Sequence, residues 1–516
     1  MFYSVLFPTE ESSRAPRHKE ATDAFRDLNL DQILRRLLQD KQHFELDEFY
    51  FTPLGDPAVI RYRQEVMREL EDPGIRFAIQ GIVGQISFMR MFLDGLRSKL
   101  VENDKFIGKY LDMGHFLENA TIFSGVVTGL SENFQRLPLR SEGLKRCAEY
   151  VAQYCASEQF QRMQEWAARL RADFDKIRYC LFIKRNNSQV RVMPYEEQES
   201  YADQVAELFA RFRQGDVLDY RRKLPENPKS EIVENEILNL LAKLYPREFK
   251  DLTEFCKANL HFDDDTILQF AREVQFYFSW LDFIEPLKQQ GLPFCYPGIH
   301  EKIDELKAED CFDLALALRS EGKVVTNSFS LTSPEQILVV SGPNQGGKTT
   351  FARSFGQVHY LSALGVKIPG REAEVFLCDQ LLTHFEREED LQNLSGKLQD
   401  DLIRLKQLLD AATPRTVVVV NEIFASTTMQ DAMILGRHMI DALVKNGAPA
   451  IVVTFLEDLA EYVPQTVSMV TTVSDDDRHK RTFRILRKKP DGLAYAMQIA
   501  ARHGLTYEQL ERRLQA

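Results

Sequence analysis

The sequence predicts a multidomain protein in which a mainly α-helical region is followed by an α/β domain of the P-loop type. Three observations carry this reading. At 516 residues the chain is too long for one hydrophobic core and suggests roughly three structural units. From about residue 19 to about residue 320, apolar residues return every three or four positions, the spacing of amphipathic helices. After Gly322 the texture changes to short aliphatic runs separated by helical stretches, the rhythm of alternating strands and helices. The chain therefore reads as an N-terminal extension over 1–40, a helical region over 41–320 and an α/β domain over 321–516.

Two stretches exemplify the helical region. Ile232, Val233, Ile237, Leu240, Leu241 and Leu244 lie on one face of a helix entered through Ser230 and closed by Pro246. Ile267, Leu268, Phe270, Val274, Tyr277, Phe278, Leu281 and Ile284 form a second stripe behind Asp265-Thr266, ending near Pro286. Stripes this wide read as helix–helix core rather than as a ligand box. A break comes at Tyr179–Ile183 and Val190–Met193, which flank Asn186-Asn187-Ser188 and read as a hairpin over 179–193 with a polar turn. Lys184, Arg185 and Arg191 make its tip basic, which suits either a solvated turn or a DNA contact.

Composition limits the function classes. A hydrophobic content of 44% is that of a globular protein. No run of about eighteen uncharged apolar residues is present to span a membrane. Met1-Phe2-Tyr3-Ser4 lacks the charged segment of a targeting signal, so a soluble cytoplasmic protein is expected. The seven cysteines are scattered without a C-x-x-C pair, which argues against a disulfide frame or a zinc site. A net charge of -12 leaves room for nucleic acid only at a local patch. One such patch is 478–489, where seven of twelve residues are Lys or Arg, interleaved with Phe483, Ile485 and Leu486. It fits a nucleic-acid or partner surface, and equally a charged edge strand that resists aggregation.

In the α/β region Ile337–Val340, Val417–Val420 and Ile451–Val453 read as buried strands. The first runs into Gly342-Pro343-Asn344-Gln345-Gly346-Gly347-Lys348-Thr349, a match to G-x-x-x-x-G-K-[ST] between a strand and a helix that begins near Thr349. Backbone N–H groups of such a loop face phosphates at a helix N-terminus, which points to ATP. Lys348 is placed to reach the β- and γ-phosphates, Thr349 to offer its hydroxyl to Mg²⁺, and Thr350 to hold the nearer phosphate. A hydrolytic P-loop protein also needs an acidic strand end, and Val417-Val418-Val419-Val420-Asn421-Glu422 supplies one. Glu422 is the candidate general base. Asn421 stands where a magnesium-side aspartate is usual, so its neutral amide predicts weaker Mg²⁺ binding or slow turnover.

These residues resemble the MutS family. Ser341 to Thr350 is similar to that family's G-P-N-x-G-G-K-S-T loop, Val417 to Thr428 to its Walker B and D-loop region, and Gly492-Leu493-Ala494 through Gly504-Leu505 to its Y-G-L-A…A-G-V-P tail. Upstream, Leu54-Gly55-Asp56 and Ile60 to Val66 resemble the start of its helical core. The resemblance implies a helical core with lever helices and an ABC-type ATPase domain. It also implies a homodimer completing two nucleotide sites, contact with branched or duplex DNA without base specificity, and a repair or recombination protein partner.

Departures from the family pattern qualify what the resemblance implies. About forty residues precede the core without a Phe-x-Glu motif, so direct mismatch reading is not expected. The usual T-H-[YF] is Thr454-Phe455-Leu456, and the trans signature is echoed only at Ser395. The upstream adenine-stacking aromatic falls on Val324 or Val325. Two functions stay open at this point. One is an ATPase clamp on DNA; the other is a nucleotide-gated interaction module that hydrolyses little and binds DNA weakly or not at all.

Overall fold

A computed structural model describes residues 2–102, 109–183, 190–197, 228–301, 305–320, 323–386, 397–422, 424, 427–473, 481–490, 507 and 509–511. Ser395, the hairpin tip at 184–189, the head of the basic segment at 478–480 and the tail motif from Gly492 to Leu505 lie outside the described residues. Cα packing divides the chain into two compact units. One comprises Met1–Phe2, Pro73–Arg140 and Leu144–Arg272; the other comprises Tyr3–Asp72, Ser141–Gly143 and Glu273–Ala516.

The first unit is helical. Its longest elements are Pro73–Glu102 and Lys109–Arg136, which pack on each other. Ile75, Ile79, Val83, Ile86, Met89, Leu93 and Leu96 recur every three or four residues on the first helix, and all are buried. The stripe anticipated from Ile232 belongs to the helix Pro228–Leu244, which begins two residues before the expected cap at Ser230. Tyr179–Ile183 and Val190–Pro194 pair antiparallel, as the sequence suggested. Two acidic residues tie this unit together: Asp263 pairs with Arg97, and Asp264 accepts from Tyr150 Oη at 2.8 Å.

The second unit is built on a six-stranded sheet. Its strands are β1 (Ile337–Ser341), β2 (Gln380–Phe385), β3 (Thr416–Asn421), β4 (Ala450–Val453), β5 (Thr466–Val473) and β6 (Arg481–Arg487). They lie in the order β2-β3-β4-β1-β5-β6, parallel except for the antiparallel edge strand β6. Helices α1 (Lys348–Leu364), α2 (Lys397–Ala411) and α3 (Met429–Asn446) accompany it. A parallel sheet covered on both faces needs unbroken aliphatic strands, and Val417 to Val420 are each 0% exposed. Burying one such valine stabilises the fold by roughly 1.5–3 kcal/mol. A smaller four-stranded sheet contains Gly298–His300, Glu372–Phe376, Glu305–Cys311 and Asn327–Thr332, in that order.

Two features of this unit correct the sequence expectations. Pro286 does not end its helix, which runs Asp265–Gln289 with the proline inside. The proline removes one N–H from the helix, and the chain continues beyond it for less than a turn. The chain start also packs into the unit's interior. Ser4, Val5 and Leu6 are buried, with the Glu273 carboxylate accepting from Ser4 Oγ at 2.6 Å and Val5 N at 3.0 Å. Buried Arg63 donates to Leu6 O at 3.2 Å and to Leu364 O, at the end of α1, at 3.0 Å. No described helix is long and apolar enough to cross a membrane.

Candidate functional site

The site forms at the C-terminal ends of β1, β3 and β4, where an open parallel sheet presents its loops. Strand β1 ends at Ser341, and the chain turns through Gly342 to enter α1 at Lys348. Gly342 has φ 113°, and a Cβ there would lie 2.4 Å from Thr471 Oγ1 on β5, so only glycine fits. Gly347 caps α1 with φ 93°, leaving the first N–H groups of the helix to face outward from the loop. The helix begins one residue earlier than the sequence suggested, which puts Lys348 and Thr349 in its first turn.

Lys348 is 5% exposed. Its ammonium is held by the loop, donating to Gly342 O at 2.9 Å, Pro343 O at 3.2 Å and Asn344 Oδ1 at 3.2 Å. Burial lowers its pKa below the ordinary lysine value; the Glu422 carboxylate opposes that shift and the Arg481 guanidinium adds to it. Both charges therefore act on the same cation. Glu422 follows β3 with φ 54°, a left-handed conformation uncommon for a side chain of this size, and its N–H donates to Val453 O at 3.0 Å.

A cavity of about 450 Å³ collects these groups. Its lining includes Gln345, Gly347, Lys348, Thr349, Thr350 and Glu422 together with Val324, Val325, Asn327 and Phe483. Glu422 is thus brought to the loop, Asn421 is not among the lining residues, and the two valines border the same space. Asn421 is 6% exposed and its Oδ1 has no hydrogen-bond partner among the described residues. A buried carbonyl oxygen without a donor is costly, and a divalent cation is one of the few things that satisfies it. No cluster of three His, Cys, Asp or Glu suited to a metal occurs among the described residues. The Thr349 hydroxyl lines the cavity and the unpartnered Asn421 amide oxygen immediately precedes Glu422 in the chain, two oxygens of the kind Mg²⁺ takes when phosphate oxygens complete its shell. Phe455 is 42% exposed. It lies outside the cavity wall.

Sequence reasoning missed Phe483 as a site residue. It was read only as part of a basic strand, yet its ring comes within 3.7 Å of where a Cβ on Gly347 would stand. Exposure sets it apart on its strand, since Ile485 is buried while Phe483 and Leu486 are each about half exposed, a difference the sequence does not show.

Residues 338–513 match the family model of MutS domain V. Among curated proteins the chain is similar to Endonuclease MutS2 of Thermus thermophilus, 27% identical over 36% of this chain and 25% of that protein. It is also similar to the DNA mismatch repair protein MutS of Shouchella clausii, 25% identical over 46% of this chain and 26% of that protein. A third relative is the DNA mismatch repair protein MutS of Clostridium botulinum, 21% identical over 70% of this chain and 38% of that protein. The chain spans well under half the length of these curated relatives.

Proposed function

We propose, from the premise that this chain belongs to the MutS family, that it is a magnesium-dependent ATPase whose nucleotide state governs a dimeric clamp on DNA. The observation that carries the reading is convergence: Lys348, Thr349 and Glu422 share one cavity with an apolar wall of Val324, Val325 and Phe483. A cation, a hydroxyl, a carboxylate and a flat apolar slot together suit a nucleoside triphosphate.

On this reading the Lys348 ammonium exchanges its loop carbonyls for β- and γ-phosphate oxygens, while N–H groups between Asn344 and Thr350 cradle the chain of phosphates. Mg²⁺, held by Thr349 and Asn421, would neutralise charge that develops on the transferring phosphoryl group. Glu422 orients a water and takes its proton as the water oxygen bonds to the γ-phosphorus; the bond to the β-phosphate oxygen breaks and ADP leaves. The base lies between the two valines and Phe483. Ser395 contributes from the second copy of the chain, whose closure on the first completes both sites and moves the helical unit about DNA.

Asn421 favours a second reading, in which the same site gates a protein partner and hydrolyses little, because a neutral ligand holds Mg²⁺ less firmly than a carboxylate does. Steady-state ATP turnover, measured alone and with duplex, forked and four-way DNA, separates the two. Stimulation by DNA supports the clamp. Turnover that is slow and identical across all DNAs supports the gated interaction and contradicts the clamp.

A further inference from the structure

We infer that Asn327 is a positioning residue, which holds β6 in the one conformation that turns Phe483 toward the nucleotide cavity and so sets affinity for the base rather than for the phosphates. The inference rests on the reading of that cavity as a nucleotide site.

The argument starts from the ladder between β5 and β6. Thr471 pairs with Ile485 and Val473 with Arg481, so a single residue of β5, Thr472, stands opposite three residues of β6, Thr482 to Arg484. Phe483 is at the centre of this bulge with φ 57°. For a bulky aromatic residue that is a strained conformation, and it persists only where the surroundings enforce it. A bulge also removes backbone groups from the ladder, and these need other partners.

Side chains supply those partners. The Asn327 Nδ2 donates to Phe483 O at 3.1 Å, and its Oδ1 accepts from Ile485 N at 2.7 Å. One amide thus stands in for a neighbouring strand at two backbone positions. On the other side Thr472 Oγ1 donates to Arg484 O at 3.1 Å, and Thr482 Oγ1 donates to Thr472 O at 2.9 Å. Asn327 opens the strand Asn327–Thr332 of the four-stranded sheet, three residues after Val324. The same short segment therefore supplies both the apolar wall and the bracket that fixes the ring facing it. Leucine or alanine at 327 leaves Phe483 O and Ile485 N without that bracket, and the backbone is then free to relax to negative φ and swing the ring away.

The test titrates the full-length chain with MgATP and, separately, with magnesium inorganic tripolyphosphate, which has no base. Asn327→Ala is expected to weaken ATP binding about tenfold, ~1.4 kcal/mol, and to leave tripolyphosphate within about twofold of wild type. Phe483→Ala should give a similar loss, and the double variant should lose little more than either, because both changes remove one arrangement. Asn327→Asp keeps the acceptor for Ile485 N and loses the donor, so an intermediate loss is expected; it also serves if the alanine variant unfolds on heating well below wild type. Equal losses of ATP and tripolyphosphate, fully additive losses in the double variant, or wild-type ATP affinity in both Asn327 variants would overturn the inference. Wild-type protein that binds neither ligand overturns the nucleotide site itself, a different failure from that of Asn327.

Discussion

Within the loop Gly342–Thr350 the backbone dictates residue type, whereas at the facing strand ends the chemistry of each side chain decides. Gly342 has φ 113° and no room for a Cβ, Gly347 caps the helix at φ 93°, and Lys348 is buried among carbonyls of its own turn. Few other residues fit those places. Beyond the loop, Glu422 and Phe483 hold positive φ of 54° and 57°, and what they and Asn421 do depends on a charge, a lone pair or a ring. On the proposed reading, holding a phosphate chain is a property of the turn, while the speed of its cleavage and the preference for a base are properties of a few side chains.

The largest expected effect tests the chemical side. Glu422→Gln keeps shape and removes the base, and turnover should fall by about 10²–10⁴-fold, with ATP affinity within a few-fold of wild type. A variant that retains more than a tenth of wild-type turnover would move the base elsewhere and dissolve the contrast.

A smaller effect probes the rigid side. His359 lies on the buried face of α1; burial pushes its pKa down to about 4 from 6.5, against a bond from its Nδ1–H to Phe355 O. The folded state keeps this imidazole neutral while the unfolded chain protonates it. Its contribution to stability is therefore fully present above pH 6.5 and is lost as pH falls toward 4. Between pH 7 and pH 5 the wild type should lose about 2 kcal/mol more unfolding free energy than His359→Gln, read from urea melts at both values. Parallel losses would mean that the helix does not hold the ring neutral.

The smallest change is Asn421→Asp. Adding a carboxylate at an unpartnered oxygen should lower the Mg²⁺ concentration for half-maximal turnover by about three- to tenfold, ~0.7–1.4 kcal/mol. An unchanged Mg²⁺ requirement would show that the strand-end amide is not a ligand.

The same division explains how much could be read from sequence. Four consecutive valines before Asn421, and glycines at fixed offsets from Lys348, are local patterns tied to local geometry. The strands and the turn into α1 were legible for that reason, and so was the place of Glu422 just after β3. Phe483 was not, because its direction depends on a bulge fixed by Asn327 more than 150 positions earlier in the chain, as the 2.7 Å bond to Ile485 records. Glu273 was hidden likewise: a lone carboxylate inside an apolar helix stripe gives no sign that Ser4 and Val5 will satisfy it.

The central claim is that the loop around Lys348 holds the phosphates of ATP. Calorimetric titration of MgATP into wild type and Lys348→Ala, each shown to be folded by its unfolding transition, tests it directly. The account predicts saturable binding by wild type and a loss of at least about 100-fold, ~2.7 kcal/mol, in the variant. Equal ATP affinity in the two proteins would contradict it.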